Sequence, residues 1–136
     1  MGISVNVSKF NEGVAKPSAW LAQSGVALSR HEELRGLVNT ISGLRHVSRI
    51  FQAESQSDPN RENVPIAELR DHFDRCDVDI DAVSRLAAVL KDNDLIQIVG
   101  QCAVESGASH NLGKEIVALR KSAEAAQHVY YLLRAG

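Results

Sequence analysis

Aromatic side chains are scarce in this chain: one Trp, two Tyr and three Phe make up 4% of 136 residues. Stacking of single-stranded bases needs aromatic platforms interleaved with cations, and no segment supplies them. Net charge is −2, so the field of the whole molecule does not draw in nucleic acid either. No apolar run approaches the length that crosses a bilayer, and the start lacks the charged-then-apolar order of a secretory signal peptide. The location expected is cytoplasmic, or exported without a cleavable signal. Cys76 and Cys102 have no CxxC spacing and stand among apolar or acidic neighbours. They read as reduced thiols, buried or partly so, with a disulfide left open by the sequence. No Ser-His-Asp, nucleophile-elbow or phosphate-loop pattern occurs, so no catalytic residue and no cofactor is expected. Arg outnumbers Lys, a compositional hint of a GC-rich bacterial or phage gene.

What the chain does have is helical periodicity. Leu112, Ile116, Leu119, Ala123, Ala126, Tyr130 and Leu133 recur at alternating spacings of four and three. That a/d pattern lays a narrow apolar seam along a helix at about 109–134, which must be covered by another helix or by a second copy. Ser109 is suited to cap its start. Ser29 and Glu32 have the spacing of a capping box, ahead of a helix at about 30–54 whose inner face is Leu34, Leu37, Val38, Ile41, Leu44, Ser48 and Phe51. Gly36 and Gly43 fall within that helix; each costs about 1 kcal/mol there, which points to close approach of another backbone.

Between these helices, 52–63 is a polar linker loop, and Pro65 opens a helix with Ile66, Leu69 and Phe73 on its apolar face. Asp79 caps a helix running through Val83, Leu86 and Leu90. Residues 95–104 are apolar nearly all round and fit a buried helix or a central strand; Asp94 as cap and the length favour helix. At the N-terminus, Pro17 and Ser18 begin a short helix through Trp20 and Leu21. Residues 1–17 form a tail or arm in which Ile3, Val5 and Val7 alternate with polar residues as a strand would. The expectation is an all-α protein: a single bundle of four to six helices over 18–136, an extended N-terminal tail, and the two long helices packed together. Ala123 and Ala126 would then face Gly36 and Gly43.

Several short patterns bear on chemistry. His31-Glu32-Glu33-Leu34-Arg35, followed by an apolar helical run, resembles the phospho-accepting box of sensor histidine kinases. The resemblance covers about a dozen residues, contains an extra Glu that rotates His31 by about 100° relative to Leu34, and lacks the usual proline. His110-Asn111-Leu112-Gly113-Lys114 is similar to the phosphotransfer-domain pattern with its last two residues exchanged. These resemblances imply a histidine phosphotransfer protein using His110 or His31. Asp77-Val78-Asp79-Ile80-Asp81 starts like a calcium loop, but Ala82 and Ala88 stand where Gly and Glu are required, so it reads as solvated acid at a helix start. His72 and Cys76 share a helix face at i, i+4, and two ligands alone make no zinc site; no metal is expected.

One arc is non-random. His31, Arg35, Arg45, His46 and Arg49 project within about 100° beside the apolar face of the long helix. They either pair with acids of the 68–81 segment or form a docking stripe for an anionic partner. The function expected is therefore a non-enzymatic interaction module that binds a partner protein or its own copies, in the manner of a bacterial secretion-related effector, chaperone or regulator. Peripheral targeting to an anionic lipid surface through the basic stripe is the other alternative.

Overall fold

The computed structural model describes residues 3–11, 22–108 and 110–135. The expected helix through Trp20 and Leu21 and the Ser109 cap lie outside them. The architecture is all-α with one small antiparallel sheet. Strand β1 (Ser4–Asn6) leads into a single turn, α1 (Val7–Phe10), followed by α2 (Gly25–Ser29), α3 (Glu32–Arg35) and the long α4 (Leu37–Ser57). Strand β2 (Asn63–Pro65) precedes α5 (Ile66–Arg75), α6 (Ile80–Lys91), α7 (Asn93–Glu105) and α8 (Leu112–Ala135). Among the described residues no helix is long and apolar enough to cross a membrane.

Residues 3–11 pack into the fold. Val5 pairs with Val64 across β1 and β2, and both are buried. The Val7 amide bonds to the Glu62 carbonyl and the Ile66 amide to the Ile3 carbonyl, extending the ladder at both ends. The alternation of Ile3, Val5 and Val7 thus serves a strand, and Asn6 caps α1 by accepting from the Lys9 amide at 2.9 Å. Phe10, 1% exposed, meets Phe51 edge-on with ring centroids 5.6 Å apart, and Phe73 at 6.4 Å. With so few aromatic residues in the chain, three of them build one corner of the core.

The long helix begins later and ends later than the sequence suggests. Ser29 closes α2, and its hydroxyl donates to the Val26 carbonyl instead of forming a capping box with Glu32. Gly36 separates α3 from α4, and α4 runs through Ser57, so the loop shrinks to residues 58–62. Its inner face is as expected, with Leu37, Ile41, Leu44, Ser48 and Phe51 buried, and Val47 added. Asp79 caps α6 by accepting from the Asp81 amide. Asp92, two residues before the expected Asp94, caps α7 through the amides of Asp94 and Leu95, and residues 95–104 are helical. Asn111 accepts from the Lys114 amide at the start of α8.

The partner of the C-terminal helix differs from expectation. Helix α8 packs chiefly on α6 and then on α7, whereas α4 packs on α5 and α6; the two long helices are not each other's main partners. The reason is the glycines. Gly43 faces the α5–α6 turn at Cys76 and Val78, not an alanine of α8, and nothing approaches Gly36 closely. The close approach in α8 is made at Gly100 of α7, against Leu112 and Ile116. Of the seam, Leu119, Ala123, Ala126 and Leu133 are buried within the chain, joined by Ser122 and Val129, while Leu112, Ile116 and Tyr130 are half-buried. Polar ties reinforce the packing: Arg70 donates to the Leu133 carbonyl, a cation at the negative end of α8, and Lys91 donates to Gln127.

Candidate functional site

The five residues predicted to share one stripe are divided by the break at Gly36. His31 is half-buried as the residue that precedes α3, and Arg35 donates from Nε to the Ser29 carbonyl at 3.0 Å. Both serve the α2–α3 junction. Arg45, His46 and Arg49 remain together on α4, where their spacing of one turn places them on one face. His46 and Arg49 line an open depression of about 570 Å³ between α4 and the α5–α6 turn, with Ile50 and Cys76 half-buried beside them and Arg75 and Asp77 on its rim. Among the described residues, Arg45, Arg49 and Arg75 make no ion pair and no side-chain hydrogen bond. Of the acids in the 68–81 segment, Glu68 pairs with Arg61, Asp79 caps α6 and lies 3.9 Å from Arg85, and Asp77 stands beside the depression without an ion pair to these arginines.

A second cluster was not legible as a set. Glu54 near the end of α4, Arg61 in the following loop, and Glu68 and His72 on α5 converge beside Phe51. His72 is 3% exposed; its Nε2 lies 3.2 Å from Glu54 Oε1, and its ring stands edge-on to Phe51 at 5.0 Å. Arg61 bonds to Glu68 and reaches Glu54 at 3.8 Å. Donor atoms of Glu54, Glu68 and His72 all lie within 4.8 Å of one another. Glu68 stands at i−4 from His72 and Cys76 at i+4, and it is Glu68 that the structure brings to the imidazole. Cys76 instead ends α5 and faces the basic depression.

His110 is exposed in the turn ahead of α8, outside the helix that the phosphotransfer pattern needs beneath its histidine. Asp77 takes a left-handed conformation with φ 55° in the α5–α6 turn, so the acidic run is a turn and a cap. Both cysteines are free; burial, aided by the charge of Asp77, pushes the Cys76 thiol up, and burial, aided by Glu105, does the same to Cys102. Comparison with protein-family models, curated proteins and solved structures finds no match.

Proposed function

We propose that this protein is a non-enzymatic helical interaction module that holds an acidic segment of a partner protein against the basic edge formed by Arg45, His46, Arg49 and Arg75. The observation that carries the reading is that Arg45, Arg49 and Arg75 make no ion pair among the described residues, with Asp77 the one carboxylate beside the depression, in a chain whose net charge is −2. Guanidinium groups left without carboxylates repel one another modestly, and an incoming carboxylate removes that repulsion while accepting paired N–H donors. Ile50 and the Cys76 region give the edge an apolar floor, which suits a segment mixing acidic and aliphatic side chains. Its concave setting between α4 and the α5–α6 turn favours a peptide over a flat anionic lipid surface. Exposed pairs contribute about 0–1 kcal/mol each, so the affinity expected is modest and falls with salt.

The test is fluorescence anisotropy of a labelled peptide alternating glutamate and leucine, titrated with the full chain at low and high salt. Binding at low salt that disappears in Arg45→Glu/Arg49→Glu, with an unchanged melting curve, supports the reading. Equal affinity in that variant, or binding to phosphatidylserine vesicles but not to the peptide, contradicts it.

A further inference from the structure

Buried polar atoms without hydrogen bonds gather at one place in this molecule. Glu54 Oε2, Arg61 Nε and both ring nitrogens of His72 are unsatisfied; among the described residues the other such atom is Ser24 Oγ. Native interiors rarely leave such groups orphaned, and a concentration of them marks a position where something else completes the bonding. The 3.2 Å approach of His72 Nε2 to Glu54 Oε1 is not aligned as a hydrogen bond. In the tautomer with Nε2 unprotonated, lone pairs of nitrogen and carboxylate face each other, which a cation between them turns into attraction.

We propose that Glu54, Glu68 and His72 bind a divalent first-row transition ion, zinc being the best match to one imidazole and two carboxylates. Donors on one tetrahedral ion at about 2.1 Å each stand about 3.4 Å apart, so donor atoms already within 4.8 Å need only small side-chain rotations to close on it. Arg61 is the cation that the cluster itself supplies. Two carboxylates against one guanidinium leave the cluster short of positive charge, and the ion supplies it. The Arg61 side chain is 35% exposed and lines a surface depression with Gln52, Gln56 and Glu62, which gives it room to swing out and gives the ion access. Bound there, the ion ties the end of α4 to α5 across the 58–62 loop, so binding and folding are linked.

The experiment is calorimetric titration of zinc chloride into the chelator-treated full chain, repeated with cobalt, whose visible absorption reports ligand geometry. One ion per chain is expected, with a raised melting temperature. Glu68→Gln and His72→Gln each weaken binding by about tenfold or more, and Cys76→Ser leaves it unchanged. Arg61→Gln tightens binding, because the competing cation is gone; a merely misfolded variant would not do this, so the proposal stays testable if His72→Gln fails to fold. Absence of stoichiometric binding, binding indifferent to Glu68→Gln, or loss of binding in Cys76→Ser overturns it.

Discussion

Gly43 of the long helix and Val78 of the α5–α6 turn are in such close register that a Cβ on Gly43 would stand 2.5 Å from Val78 Cγ2 and 3.3 Å from the Cys76 carbonyl oxygen. Alanine has a helix propensity about 1 kcal/mol better than glycine, but overpacking costs about 1–3 kcal/mol, and Val78 is stiff at χ1 and buried. Gly43→Ala should therefore lower stability by about 1 kcal/mol or more. At Gly100 the atom in the way is Leu112 Cδ1, the far end of a flexible, half-buried side chain. Gly100→Ala should be neutral or slightly stabilising. Chemical denaturation of the two variants checks the contrast.

Leu119 is 0% exposed and Val117, two residues away on the same helix, is 54% exposed. An unpaired carboxylate in the interior costs several kcal/mol, a large part of a small domain's stability. Leu119→Asp should unfold the domain by circular dichroism, while Val117→Asp should melt like the wild type.

How much of this was legible in the sequence depends on which residue is asked about. Leu119 and Ala123 announce a buried stripe by spacing alone, but the same spacing fits any helix that could cover them, and α6 does so instead of α4. Gly43 signalled a close approach; which chain segment approaches depends on tertiary placement. Val5 carries a strand pattern, but its partner Val64 lies beyond the long helix and has no local signature. The basic edge was half readable: Arg45, His46 and Arg49 follow from helical period, whereas the break at Gly36 and the arrival of Arg75 do not. Glu54 and His72 meet only because the 58–62 loop folds back, which no local pattern states.

Both thiols sit above the ordinary thiol range, raised first by burial. The sign of the consequence is fixed by linkage. The unfolded chain gives up its thiol protons at about pH 8.5 while the folded chain still holds them, so this stability is complete below that pH and is lost as pH rises through the folded values. Melting temperature should fall on the alkaline side, and less so in Cys76→Ser/Cys102→Ser. With a disulfide reagent at neutral pH, half-buried Cys76 should react before Cys102, which is 1% exposed.

The buried members of the heptad seam are covered within one chain, and on the outer side of α8 Val117 and Tyr131 are exposed singly. Light scattering coupled to size exclusion should give a monomer across a concentration series. A dimer abolished by Tyr131→Glu would instead place a self-association surface on that side.

The most direct test of the docking edge is a two-dimensional amide NMR titration of the labelled full chain with the acidic-aliphatic peptide. Resonances of 45–53 and 74–77 should move together and saturate, with those around Val117 and Tyr131 unmoved. Shifts centred on α8, or no shifts at low salt, would contradict the account.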